Sequence, residues 1–305
     1  MRILLTGISG QVGGALAERL KAHGTLISAD RAMLDLTHPG RLSAKLDDLA
    51  PDIIINPAAY TAVDKAETER DLAMTVNAAA PGVLARWAAQ HDVPLIHFST
   101  DYVFSGIGER PWREEDAPQP LSVYGASKLA GENEIRAAGG CFLIVRTSWV
   151  YAAKGKNFLR TVGGLAQQRR ELRIVADQVG APTSATLIAA SVDDMIAGGL
   201  GRLRARFAQA NGVVHLAAAG ETSWFGFASA IVEGLRSRGV SLAVEEIIPI
   251  RTDEYPTPAT RPHNSRLDLA RLQRIFAITP PHWQSVLAPE LDQFARELGV
   301  ASVTA

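Results

Sequence analysis

Thr6-Gly7-Ile8-Ser9-Gly10-Gln11-Val12-Gly13 follows the short apolar run Ile3 to Thr6 and leads into Val12 to Lys21, where apolar residues recur at helical spacing. Between a buried strand and a helix, missing side chains let the chain turn sharply and let backbone amides approach a pyrophosphate. They also let helix and strand pack closely, while the helix N-terminus favours negative charge. Gly7, Gly10, Gln11, Val12 and Gly13 are therefore candidates to line a dinucleotide. A Gly-x-x-Gly-x-x-Gly run is unspecific by itself, because glycines also end strands for ordinary turn reasons. Its place directly after the first strand gives it weight.

Further apolar runs follow at Thr25 to Ala29, Ile53 to Asn56, Leu95 to Ser99 and Phe142 to Arg146. Between them lie longer segments of helical spacing such as Leu72 to Gln90 and Ser127 to Ala137. Continuous apolar strands alternating with helices predict a parallel sheet covered on both faces, so the fold class is α/β, doubly wound and Rossmann-type. Asp30 ends the second run, where a carboxylate accepts hydrogen bonds from adenosine ribose hydroxyls and favours NADH. The adjacent Arg31 can instead hold a ribose phosphate, which keeps NADPH open. Asp35 and Leu36 come soon after, placed to flank the adenine.

Beyond about residue 150 the alternation loosens, although Leu172 to Ala176 and Val213 to Ala217 read as further strands. We expect residues 1–150 to form the dinucleotide-binding domain. Residues 151–305 are expected to form mainly a smaller substrate-binding lobe, with some segments returning to the Rossmann sheet. The stretch from Ile250 to Ser265, dense in Pro, Thr and Arg, reads as an ordered loop. It suits a mouth over a polar ligand and equally a structured surface connection.

The 305 residues are 47% hydrophobic, enough for a substantial core. A formal charge of −1 provides no basic field for nucleic acid. Cys141 is the single cysteine, which precludes an internal disulfide and fits a reducing compartment, the cytoplasm by default. The most apolar stretch, around 185–199, is broken by Asp193-Asp194, so no membrane span is expected.

Tyr124-Gly125-Ala126-Ser127-Lys128 sets a phenol and an ammonium four residues apart, on one face of a helix. A free tyrosine with a pKa near 10 is a poor acid at neutral pH, and a nearby cation lowers that value. Such a pair can protonate a carbonyl oxygen as hydride reaches its carbon. Alone, the spacing occurs in many surface helices. Ser99-Thr100-Asp101, however, lies at the carboxyl end of the fourth strand, where open α/β sheets bind ligands, so Thr100 can reach the same oxygen.

With these elements, longer runs carry a resemblance. They include Asn56-Pro57-Ala58-Ala59-Tyr60-Thr61-Ala62-Val63-Asp64-Lys65-Ala66-Glu67 and Ser99-Thr100-Asp101-Tyr102-Val103-Phe104. Others are Val123-Tyr124-Gly125 with Lys128-Leu129-Ala130-Gly131-Glu132, and Arg146-Thr147-Ser148-Trp149-Val150-Tyr151. The last is Tyr255-Pro256-Thr257-Pro258 with Arg261-Pro262 and Asn264-Ser265. In this order, and essentially end to end, the chain resembles the dTDP-4-dehydrorhamnose reductase family of the extended short-chain dehydrogenase/reductases. The resemblance implies reduction of a dTDP-linked 4-keto-6-deoxysugar at C4 by NADPH or NADH, the last step in making dTDP-L-rhamnose for polysaccharide. It makes Tyr124 the proton donor, Lys128 its electrostatic partner and ribose contact, and Thr100 the hydroxyl on the substrate oxygen. It adds Ala59, Tyr60, Thr61 and Phe98 to the cofactor site, and gives Thr100, Asp101 and Trp149 to the sugar nucleotide, with Arg261 and Asn264 from the Pro-rich loop.

Some members of that family form a Mg2+-linked dimer through glutamates, whose places here are taken by Ala15 and Thr186. Neither is a hard-cation ligand, so a monomer or a differently built homodimer is expected, with no metal site. His97, His215 and the other histidines lack paired ligand spacing and read as ordinary strand or surface residues. A dehydratase would follow its threonine with Asp-Glu, whereas Asp101 is followed by Tyr102. An epimerase would show no net cofactor consumption. A non-catalytic binder like the regulatory subunit of methionine adenosyltransferase also resembles this family, but the complete Thr100, Tyr124 and Lys128 set favours an enzyme.

Overall fold

The computed structural model describes residues 1–299, so the last six positions of the expected second lobe lie outside the described residues. The first five strands are β1 (Arg2–Leu5), β2 (Thr25–Ser28), β3 (Ile53–Asn56), β4 (Leu95–Thr100) and β5 (Phe142–Thr147). With Val213–His215 they form a six-stranded sheet in the order Val213–His215, β5, β4, β3, β1, β2. Every pairing is parallel. The order reverses between β1 and β3, which creates a crevice beyond their carboxyl ends.

Side chains alternate between two apolar layers, which is why these strands contain so few polar positions. Ile3, Leu5, Ile53, Ile55, Ile96, Phe98, Leu143 and Val145 pack on one face, with Leu16 of α1 (Gln11–Leu20) and Ile188 and Val192 of the Ala185–Ile196 helix. Leu4, Ile54, Leu95 and Ile144 pack on the other with Leu84 and Trp87 of the Ala80–Gln90 helix and Ile135 of the Val123–Ala138 helix.

A separate core gathers Tyr151, Leu159, Val162, Leu172, Phe227, Ile231, Trp283, Leu287 and Phe294. The chain alternates between the two bodies. Val213–His215 pairs with β5, whereas the parallel pair Glu171–Val175 and Glu246–Ile250 belongs to the second body. The Pro-rich stretch is irregular apart from the single turn Thr252–Glu254. Among the described residues no helix is long and apolar enough to cross a membrane.

Candidate active site

Gly7 turns at φ +60°, and Gly10 caps α1 without any side-chain hydrogen bond, so the first-turn amides remain available to a ligand. A Cβ on Gly13 would lie 2.0 Å from the Gly7 carbonyl oxygen, so only glycine lets helix and turn meet this closely. The Gln11 Oε1 atom beside this turn is buried with no hydrogen-bond partner among the described residues. The close-packed glycine cradle and the open helix N-terminus fit the pyrophosphate of a dinucleotide, whereas the Gln11 oxygen, an acceptor, suits a hydroxyl or amide donor.

Asp30 is exposed and its carboxylate accepts the Met33 amide at 2.8 Å, closing the turn after β2. Arg31 extends into solvent 3.5 Å from the Asp35 carboxylate. The Asp35 pKa is lowered to about 2, chiefly by the Thr37 amide and hydroxyl. The Leu36 side chain is buried in the core rather than presented to a ligand. Phe98 likewise packs into the core, and it is its carbonyl that faces the site.

The Val123–Ala138 helix begins here because the Ser122 side chain accepts the Gly125 amide and Glu67 accepts the Val123 amide at 2.8 Å. Gly125 permits this, since a Cβ there would meet the Tyr102 carbonyl oxygen at 2.2 Å. Tyr124 thus sits in the first turn of the helix, half-buried, with the Tyr102 ring edge-on at 5.7 Å. One and two turns further on, Lys128 and Glu132 are buried on the same face.

The electrostatics differ from the sequence expectation. Loss of water pushes the Tyr124 pKa up to about 12; the Thr100 hydroxyl draws it back and the Asp101 charge raises it further. Lys128 contributes none of the lowering. Its Nζ donates to the Phe98 carbonyl oxygen at 2.6 Å and contacts His97 Nε2 at 3.2 Å, so the amine points at the sheet edge. Burial lowers the Lys128 pKa to about 8. Spacing shows that the two side chains share a helix face, but not that the strand captures the longer one.

Thr100 ends β4 with its hydroxyl donating to Asp101 Oδ1 at 3.0 Å and accepting the Tyr102 amide at 3.2 Å. Asp101 is buried, and desolvation raises its pKa to about 6. Trp149, just beyond β5, holds a left-handed backbone at φ +47° and stacks on Trp224 at 3.6 Å. Trp224 is held in turn by Gln178 at 3.1 Å.

Tyr60 hydrogen-bonds Glu69 at 2.6 Å, Ala59 is half-buried and Thr61 is exposed, all on the segment after β3. Arg261 is engaged bidentately by Asp64 at 2.8 and 2.9 Å. Asn264 is buried, donating to the Arg110 carbonyl oxygen and accepting from Arg266, so its amide builds the loop. Thr100, Asp101, Tyr124 and Lys128 come together at the end of β4, while Asn264 is committed to protein partners.

Sequence reading missed two groups. His97, read as a strand residue and found in β4, is buried with its Nε2 3.2 Å from Lys128 Nζ. Asn77 lies in a single π-helical segment, Thr75–Ala79, and its side chain joins the Tyr60 backbone to the Ser127 hydroxyl. A polar residue in an apolar run was the only available signal for either. At the places expected for metal-binding glutamates, Ala15 offers no ligand and Thr186 donates to Glu290 at 2.7 Å. No cluster of three or more His, Cys, Asp or Glu suited to a metal ion occurs among the described residues.

Known proteins resemble the chain over nearly all of its length. The family model described as RmlD substrate binding domain matches residues 1–296. A dTDP-4-dehydrorhamnose reductase of Burkholderia thailandensis is 46% identical over 286 residues, 93% of this chain and 96% of that protein. Among solved structures, a dTDP-4-dehydrorhamnose reductase of Clostridium acetobutylicum superposes with a TM-score of 0.86 at 35% identity, over 96% of this chain and 99% of that one. The Bacillus anthracis enzyme of the same name, in complex with NADP, superposes with a TM-score of 0.84 at 33% identity, over 97% of this chain and 99% of that one. The chain belongs to the RmlD substrate binding domain family, that of the dTDP-4-dehydrorhamnose reductases.

Proposed function

We propose that the protein reduces the C4 keto group of dTDP-4-dehydro-L-rhamnose with NADPH or NADH, giving dTDP-L-rhamnose. The observation that carries this reading is the meeting of the Tyr124 phenol and the Thr100 hydroxyl at the carboxyl end of β4, with Lys128 on the same helix face bonded to the Phe98 carbonyl of that strand. A nicotinamide dinucleotide held by its pyrophosphate at the glycine turn would supply the hydride.

Tyr124 donates its proton to the substrate oxygen as charge develops there, and the Thr100 hydroxyl, turned from Asp101 Oδ1 toward that oxygen, supplies a second hydrogen bond. A phenol with a pKa near 12 remains protonated throughout the neutral range, so it is always ready as an acid but leaves a costly phenolate. The Thr100 hydroxyl is the group that offsets this cost at the resting site. Lys128, held against the Phe98 carbonyl, lies where a ribose hydroxyl would reach it. Trp149, fixed by its stack on Trp224, forms the wall that would face the sugar nucleotide. Asp30 and Arg31 together leave both nicotinamide cofactors in use.

Steady loss of reduced-nicotinamide absorbance with a panel of dTDP-linked and other nucleotide-linked 4-keto sugars, run with NADH and NADPH in parallel, tests the assignment. An epimerase would leave the absorbance constant. Tyr124→Phe should lower kcat by roughly 10² or more, a usual loss for general acid catalysis, with little change in cofactor affinity. A fully active variant would refute the role of Tyr124.

A further inference from the structure

A buried chain of polar side chains runs under the site along the carboxyl ends of three strands. The Thr6 hydroxyl, just after β1, is 2.6 Å from Asn56 Oδ1 on β3, and the Ala58 amide donates to the Thr6 oxygen at 3.3 Å. The Asn56 Nδ2 atom is 3.0 Å from His97 Nδ1 on β4, and His97 Nε2 is 3.2 Å from Lys128 Nζ. Asn56, His97 and Lys128 are all within 1% of complete burial, and Thr6 is 2% exposed. Asn56 and His97 are partners in the β3–β4 register, which directs both side chains to the same face.

Hydrogen-bond arithmetic along this chain leaves little freedom. An O···O separation of 2.6 Å is the length of an O–H···O bond and short for N–H···O, so Thr6 faces the Asn56 oxygen rather than its amide nitrogen. Thr6 accepts from Ala58 and gives its single proton to Asn56. The Asn56 NH2 must then donate to His97 Nδ1, which places the imidazole proton on Nε2. That proton points at Lys128 Nζ. A neutral amine accepts it, whereas an ammonium meets it head-on.

We propose that His97 is a positioning residue for Lys128: Thr6 and Asn56 fix its tautomer, and its Nε2 proton, aimed at the amine, makes Lys128 a lysine that releases its proton readily. This rests on the reductase reading only for its kinetic consequence.

Two other titratable groups bear on Lys128. Glu132, one turn on, favours its charged form, but Glu132 is held bidentately by Arg146 of β5 at 2.6 and 2.9 Å. Tyr124, one turn back, is neutral at working pH. Burial and the Lys128 charge hold the His97 pKa well below its ordinary value, so the ring remains a neutral donor.

Two experiments test the proposal. In 15N-histidine-labelled protein, the His97 ring, identified by its loss in His97→Gln, should show a protonated Nε2 and an unprotonated Nδ1; the reverse pattern overturns the proposal. This measurement needs no turnover, so it stands even if the protein reduces no 4-keto sugar. In the wild type, kcat for sugar reduction should fall as pH rises through the Lys128 value near 8. His97→Leu, which removes the N–H donor, should move that limb upward by about one pH unit. His97→Gln, whose side-chain NH2 can stand where Nε2–H stood, should return it most of the way. An unchanged or downward limb in His97→Leu, with folding confirmed by its thermal transition, contradicts the inference.

Discussion

Asp101 shows how one buried group links the site to the pH dependence of the fold. Desolvation raises its pKa from 3.8 to about 6 against hydrogen bonds from Ser265 and Thr100 that favour the charge. A raised carboxyl prefers its neutral form in the folded protein, so its stabilisation is complete below pH 4 and lost as pH rises through 6. At about 1.4 kcal/mol per pH unit the effect is about 3 kcal/mol. Asp101→Asn should therefore gain in urea midpoint relative to the wild type as pH goes from 5 to 7.5, with the difference flat above that. A difference that shrank with pH would show Asp101 to be held as a carboxylate. Thr100, Tyr124 and Lys128 were legible in the sequence because a strand end and an i,i+4 spacing are local features. His97 was not, because a strand histidine becomes a lysine's partner only through the β3–β4 register that sets Asn56 beside it.

The glycine turn with α1 is the element on which cofactor binding depends, and its glycines are not equivalent. Gly13→Ala would drive a methyl to 2.0 Å from the Gly7 carbonyl oxygen, a backbone atom that cannot yield without opening the turn. At Gly14 the nearest atom, the Ile8 oxygen, is 3.5 Å away, an ordinary contact. Gly13→Ala should thus weaken NADPH or NADH binding at least tenfold and lower Tm. Gly14→Ala should bind normally and gain about 0.5–1 kcal/mol from helix propensity. Fluorescence titration with the reduced cofactor and thermal unfolding separate the two. The five strand runs read from the sequence agree with the observed strands to within a residue at each end, since apolar continuity is a direct consequence of burial on both faces. The helix read as Leu72 to Gln90 is instead interrupted by the π-helical segment Thr75–Ala79. Helical periodicity could not report this, because the turn places Asn77 against Tyr60 and Ser127, residues distant in sequence.

At the scale of the whole molecule, the site depends on a chain that crosses between two cores, so the contacts that hold those bodies together also set the geometry of the reacting groups. The loosening of strand–helix alternation after about residue 150 is what pointed to a second body, but which later segments return to the sheet is decided by tertiary packing, as when Val213–His215 joins β5. The clearest tie at the mouth is Asp64, after β3, which grips the Arg261 guanidinium with both oxygens and also accepts the Ala259 amide. Arg261 lowers the Asp64 pKa, but the Asp64 side chain is 43% exposed, so the pair adds little to global stability. Its effect should fall on geometry: it anchors the loop that carries Tyr255, Arg261 and Asn264 to the segment that carries Ala59, Tyr60 and Thr61. Asp64→Ala should leave Tm within a few degrees and cofactor affinity unchanged, while raising KM for the sugar nucleotide severalfold as the loop loses its anchor. Equal KM values in the variant and the wild type would mean that the loop keeps its place through its other hydrogen bonds, among them those of Thr252 to Asp177 and of Asn264 to Arg110.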